Sequence, residues 1–373
     1  MKHVLLSWQL FAAVVSVAVF VTVSAVVIPH AVAQVLLSLG ATPQRHAASE
    51  IQGHSTQVVY PVPLVKENSP VISFVGDILL ARSVEVLMHD FGETYPFIRV
   101  PAIIGSSTAT FANFEAAIPE THTHTKDYTT QFSADEKYVS ELAQSGVTHV
   151  SLANNHAYDF GTLAEEHTRS ALALRGVSPF GDANTVATSS ITSVMLGTTT
   201  VSVLAFQTVY GQVATSTLAE VIGYMKRTSD VQIAYIHWGT EYEMTHTKAQ
   251  AVLAEFLVSQ GIDAIIGHHP HVVEDIQLVA GVPVFYSLGN FIFDQYFSTA
   301  VQEGLALRIE PGQSHSKFTL VPVTSIGTHA QPRVMSEPDR SSFLERLAST
   351  SDPVLKSAIL QGEITIPYTL HNE

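Results

Sequence analysis

The sequence predicts an α/β chain, on three observations. Short apolar runs rich in β-branched and aromatic residues alternate with segments whose apolar positions recur at helical spacing. Five of these runs end in polar, metal-competent residues: Gly76-Asp77 after VISFV, Asn113-Phe114-Glu115 after TFA, Asn154-Asn155-His156 after VSLA, His237-Trp238-Gly239 after IAYI, and Gly267-His268-His269-Pro270-His271 after AII. The third is composition: of 373 residues, 46% are hydrophobic and 14% charged, against a usual charged share of about 25%, which marks a core-forming chain. At the carboxyl ends of strands in an open α/β sheet, side chains face a common crevice. The five segments therefore predict one shared site.

Taken in order, the chain opens on an apolar stretch from Val4 to Ile28, with no Lys, Arg, Asp or Glu between Lys2 and Arg45. A membrane span takes about 20 helical residues. We read 1–33 as an uncleaved transmembrane anchor, with removal as a signal the alternative, because Ala31-Val32-Ala33 has the small-x-small form of a cleavage site. Lys2 places the short amino end inside and the rest of the chain outside the cell, a single-pass, extracytoplasmic arrangement. Residues 34–69, with Pro43, Pro61 and Pro63, read as a linker. The main domain is expected over 70–326 and a carboxyl-terminal extension packed on it over 327–373.

Within the main domain VISFV is a strand stopped by Gly76. Ser133 with Glu136, and Thr162 with Glu165, have capping-box spacing and predict two helix starts. VSVLAF, VQIAYI, IDAII and PVFYSL are strands, and a helix with Leu253, Phe256 and Leu257 on one face precedes Gly261. GLALRIEP and KFTLVPV follow each other without a helix and are expected to pair antiparallel. SSFLERLA reads as a helix and ITIPYTL as a strand-like end.

The formal charge is −15, from 33 acidic and 18 basic residues. That balance speaks against a nucleic-acid partner held through phosphates. An anionic substrate would need a bound cation. The absence of cysteine removes disulfides, zinc–thiolate sites and thiol nucleophiles. Of the 18 histidines, His122 and His124 in THTHTK read as exposed loop residues.

The site chemistry follows from residue types. Two ions about 3.5–4 Å apart can hold an anionic oxygen and activate water, which requires a bridging carboxylate. Asp77 and Glu115 are the candidates. His269 and His271 flank Pro270, and in an extended segment they would share a face while His268 points away. Such imidazoles suit Mn²⁺, Zn²⁺ or Fe. Asn155 offers a neutral oxygen ligand. His156 is the candidate proton donor, oriented by Asp159. His237 ends its strand, with Glu241 four residues on as support or substrate contact, and Trp238 reads as core. Gly289 and Asn290 form a turn at the same rim, and Asp294 could reach the pocket. Arg82 would grip a carboxylate or phosphate, or else pair with a local acid such as Glu85.

As an ordered set, FVGDILL (74–80), ANFE (112–115), SLANNHAYDFG (151–161), HWGTEY (237–242), GHHPHV (267–272) and YSLGNFIFD (286–294) resemble the CapA, or PgsA-type, family of poly-γ-glutamate capsule synthesis proteins over about Val71 to Val323. That family is similar to the calcineurin-like metallophosphatases. The resemblance implies a four-layer α/β/β/α sandwich with a two-metal site on its loops, and one or two divalent ions as cofactor. It implies metal ligation by Asp77, Asn155, His237, His269 and His271, with Glu115 near the place of a bridging aspartate and His156 as an acid beside the metals. The superfamily's Asp-x-His has Leu79 in the histidine place, so one metal position lacks a ligand. The expected activity is hydrolysis or transfer at a phosphate, ester or amide bond. The expected partners are an anionic polymer or phosphate or amide substrate, the membrane, and capsule synthase subunits. The alternatives are a non-catalytic polymer-binding or assembly protein and a general extracytoplasmic phosphoesterase.

Overall fold

A computed structural model describes residues 70–312 and 314–367. The predicted anchor and linker lie outside the described residues. Among the described residues no helix is long and apolar enough to cross a membrane.

The first part of the chain runs β1 (Ile72–Ile78), α1 (Arg82–Phe91), α2 (Val100–Ile104), β2 (Ala109–Phe114), α3 (Val139–Gln144), β3 (His149–Ser151), α4 (Thr162–Leu174) and β4 (Ser178–Phe180). These four strands are parallel neighbours. The second part runs β5 (Ile191–Leu196), β6 (Thr199–Gln207), α5 (Thr215–Thr228), β7 (Val231–His237), α6 (Lys248–Gln260), β8 (Ala264–His268), β9 (Ile276–Val279) and β10 (Val282–Phe285), in a six-stranded sheet ordered β5-β6-β7-β8-β10-β9. The chain then returns to the first sheet through β11 (Asn290–Ile292), β12 (Glu303–Pro311), β13 (His315–Thr324) and β14 (Arg333–Val334), and, after α7 (Asp339–Thr350) and α8 (Lys356–Gln361), through β15 (Glu363–Pro367). The nine-stranded order is β14-β13-β12-β1-β2-β3-β4, with β11 on β1 and β15 on β13. β12 and β13 pair antiparallel, as expected of two consecutive strands with no helix between them.

The strands carry near-continuous apolar runs because both faces are covered. Alternation sorts their residues. Ile72, Phe74, Phe111, Val201, Val203, Ile233, Tyr235 and Ile266 form the layer between the sheets. Val75, Phe114 and Val150 pack outward on Val84, Met88, Leu142 and Leu172 of α1, α3 and α4. Leu204, Phe206, Ala234 and Ile236 pack outward on Leu218, Ile222, Ala254 and Leu257 of α5 and α6. The layers thus read helices, sheet, sheet, helices. Phe343, Leu344 and Leu347 of α7 join the middle layer.

Two predicted capping boxes do not form. The 3₁₀ turn ahead of α3 is capped by Asp135, whose Oδ1 accepts from Lys137 N at 3.0 Å. Ser133 instead bridges to Ala117 and meets His122. α4 starts after Gly161 with no side-chain cap, and Glu165 is drawn to Arg169 one turn on. A box does form at α6, Thr247 with Gln250, in a segment whose amino end carried no predicted start.

Candidate metal centre

Parallel strands of both sheets end at one place, and there the polar segments meet. Asp77 is next to last in β1, Glu115 follows β2, His237 closes β7 and His268 closes β8, with His237 and His268 in register. The fit depends on two glycines. A Cβ on Gly76 would stand 1.8 Å from Gly289 O, and one on Gly267 would stand 1.9 Å from Tyr286 O. Only a residue without a side chain lets the β10–β11 connection lie against both strands.

Asp77 and Glu115 are completely buried, and His237, His269 and His271 nearly so. Two groups of ligand atoms lie within 4.8 Å of one another: Glu115, His237 and His269 in one, and Asp77, Glu115 and His271 in the other. Glu115 belongs to both, so of the two candidate carboxylates it is the one that could serve two ions. Asn113 holds the centre together. Its Nδ2 donates to Asp77 Oδ1 at 2.8 Å and Glu115 Oε1 at 3.2 Å, and lies 3.1 Å from His237 Nδ1. Asn155 Oδ1 lies 2.7 Å from His237 Nε2. Asn154 caps the arrangement from behind, donating to Phe114 O and accepting from His156 N.

The chemistry of this donor set fits a divalent cation. Among the described residues, Asp77 Oδ2, Glu115 Oε2 and His269 Nδ1 are buried without a hydrogen-bond partner. Burial and the Asp77 charge push the Glu115 carboxyl well above the usual range. Burial opposes a charge on His271, but Glu115 and Asp77 outweigh it and hold that imidazole up to about 9. His271 and His268 in turn keep Asp77 low against its burial. In protons alone, the site must therefore hold extra positive charge to exist. A cation supplies that charge directly. Burial and neighbouring imidazoles keep His237 well below its ordinary value and bring His269 to about 4, so both stay neutral, as metal ligands must be. Bound there, a divalent ion would supply Lewis acidity toward an oxygen of substrate or water.

Beside it stands an imidazole held by a carboxylate. His156 Nδ1 lies 3.0 Å from Asp159 Oδ2, which also accepts from Phe132 N at 2.7 Å. The carboxylate fixes the proton on Nδ1 and leaves Nε2 on the side of Asn155, 3.0 Å away. Phe132 stacks on the imidazole at 3.9 Å between centroids.

Several sequence expectations change. His269 and His271 do not lie in an extended segment: both have positive φ, 96° and 58°. The chain bends at each residue, and this bend brings their rings to the site. His268 does not point away; its Nδ1 is 3.6 Å from Asp77 Oδ1, under Tyr235. Arg82 pairs neither with Glu85 nor with an open site. Its Nε donates to Asp294 Oδ2 at 3.0 Å, its Nη2 donates to Oδ1, and its plane lies over Phe132. Asp294 is thus spent on Arg82. Trp238 is core, its Nε1 donating to Tyr286 O. Leu79, in the histidine place, is buried among apolar side chains. Sequence reasoning placed Asn113 and Asn290 near the site without giving either a role, and turned His268 away from it. The signal for Asn113 was available: it stands two before Glu115, on the same face of an extended chain. Asn290, whose Oδ1 lies 2.9 Å from His271 Nδ1, opens β11 beside the rim where the sequence had placed a turn.

Residues 71–295 match the family described as bacterial capsule synthesis protein PGA_cap. The chain belongs to that family. Among its relatives is the capsule biosynthesis protein CapA of Bacillus anthracis, 28% identical over 64% of this chain and 64% of its own length. The chain thus spans under two thirds of that relative. The PGA biosynthesis protein CapA of Bacillus subtilis is 28% identical over 67% of this chain and 70% of its own length. A solved structure of a novel phosphatase from Mycoplasma pneumoniae aligns over 73% of this chain and 96% of its own, at 13% identity and a TM-score of 0.42. The family match spans all five polar segments and Asn290.

Proposed function

We propose that this PGA_cap protein is a membrane-anchored, outward-facing component of poly-γ-glutamate capsule synthesis or export. In this reading its buried centre holds one or two ions of Mn²⁺, Zn²⁺ or Fe and carries out hydrolysis or transfer at a phosphate, ester or amide bond. One observation carries the metal chemistry: a buried carboxylate, Glu115, shared by two sets of histidine and carboxylate donors. The His156–Asp159 pair supports a catalytic role, since a bare binding site has no use for an imidazole oriented by a carboxylate, a pair suited to moving a proton. The polymer is suggested by what the relatives are named for, and attachment to the membrane by the apolar stretch Val4 to Ile28. The test is turnover of phosphodiester and γ-glutamyl substrates by the purified full chain with Mn²⁺. Activity that His269→Ala and His271→Ala leave intact would exclude the metal mechanism.

A second reading, a non-catalytic polymer-binding or assembly protein, has Leu79 in its favour, since that apolar residue leaves one ion short of a ligand. It predicts one tightly held ion and no turnover on either substrate class.

A further inference from the structure

The loop between β2 and α3 carries THTHTK, whose histidines the sequence suggested were exposed and idle. The structure folds them back onto α1. His122 Nε2 lies 2.8 Å from Glu85 Oε1, and His124 Nδ1 lies 2.7 Å from Glu85 Oε2. Asp135 completes the group: ligand atoms of Glu85, His122 and Asp135 all lie within 4.8 Å of one another. The side chains of Glu85 and His122 are only 12% and 18% exposed, so this is a partly enclosed cluster and not a solvated face. We propose that Glu85, His122 and Asp135 form a second divalent-cation site, separate from the buried centre, that clasps this loop to α1.

The donor chemistry is specific. His122 Nδ1 lies 2.8 Å from Ser133 Oγ, which is itself buried. That contact occupies the outer ring nitrogen and turns Nε2 toward the Glu85 carboxylate, the arrangement by which proteins orient a ligating imidazole. Two imidazoles gathered on one carboxylate must each present a proton to it, or share a cation with it. One nitrogen and two carboxylates suit Zn²⁺ or a similar borderline ion. Lys137 Nζ now sits 3.0 Å from Asp135 and is half exposed, so an arriving ion displaces it into water.

The location links the site to the buried centre. The ligands His122 and Asp135 bracket the segment that supports His156 and Arg82. Thr129 O accepts from Arg82 Nη1, Gln131 Nε2 donates to Asp159 O at 2.7 Å, and Phe132 covers His156. A cation that fastens both ends of this segment restrains the stacked phenyl ring and the Asp159 contact. The proposal is independent of what the buried centre catalyses.

Zn²⁺ titration of the chelator-stripped full chain tests it. In the E115Q/H271A background the carboxylate common to both donor groups of the main centre is gone. That protein is expected still to bind Zn²⁺, and adding Glu85→Gln should weaken this binding by about tenfold or more. Asp135→Asn serves as a second variant, since asparagine still caps the following turn. Trypsin cleavage after the exposed Lys126 reads the loop, because cleavage follows the opened population. Zn²⁺ should slow it in the background protein and not after Glu85→Gln or Asp135→Asn. Absence of Zn²⁺ binding in the background protein, or binding and protection that both added substitutions leave unchanged, overturns the proposal.

Discussion

Replacing Glu115 by glutamine separates the metal from the scaffold. The amide has the same shape and keeps an oxygen to accept from Asn113, which now donates at 3.2 Å. It needs no counter-charge in a fully buried place. In chelator the variant is therefore expected to match or exceed the wild type, because burial and Asp77 already disfavour the Glu115 anion. The pH dependence has a definite sign. A carboxyl raised in the folded state is fully compatible with folding below its unfolded value near 4.5, and its contribution is lost as pH rises toward the folded value. Chelated wild type should thus lose stability on going from pH 5 to 8 relative to E115Q. With metal the order reverses. A ligand at about 100 times its Kd stabilises by about 2.7 kcal/mol, worth about 4 °C in Tm for a domain of this size. Thermal melts in Mn²⁺ and in EDTA should show that shift for the wild type and almost none for E115Q. An equal shift in both proteins, or a variant as damaged in EDTA as in Mn²⁺, would refute the assignment of Glu115 as a shared ligand.

Asp159→Asn should lower kcat on any substrate the wild type turns over by about 10²-fold, with Mn²⁺ affinity retained, since it removes the orienting charge from His156. Gly267→Ala should destabilise the chain by at least about 1–3 kcal/mol in urea melts, because its Cβ meets Tyr286 O at 1.9 Å and Trp238 Nε1 at 2.3 Å. Gly223→Ala, in the interior of α5 with only Arg227 Nη1 at 3.6 Å, should instead stabilise by about 0.5–1 kcal/mol in the same melts. Burial lowers His149, stacked on Phe111, to about 4. The unfolded chain then binds the extra proton between pH 6.5 and about 4, so stability falls as pH falls through that window. Urea melts of His149→Gln across it should show a shallower decline.

The sequence by itself determined the strand-and-helix alternation, the polar segments at strand ends, and the family. Burial on both faces writes β1, β6 and β7 as unbroken apolar runs, and a polar residue directly after such a run has few places to go but the strand-end crevice. These are local properties, visible in one stretch of chain. Contacts between stretches far apart were decided only by tertiary structure. Arg82 finds Asp294 across 212 positions, and His122 and His124 find Glu85 across 37 and 39. The capping box at Ser133 failed for the same reason, since His122 offers that hydroxyl a partner in the folded chain; at Thr162 the competitor is local, Arg169 one turn on from Glu165. His268 and Asn113 entered the centre because two sheets end face to face, and period-two alternation along one strand carries no information about the strand opposite.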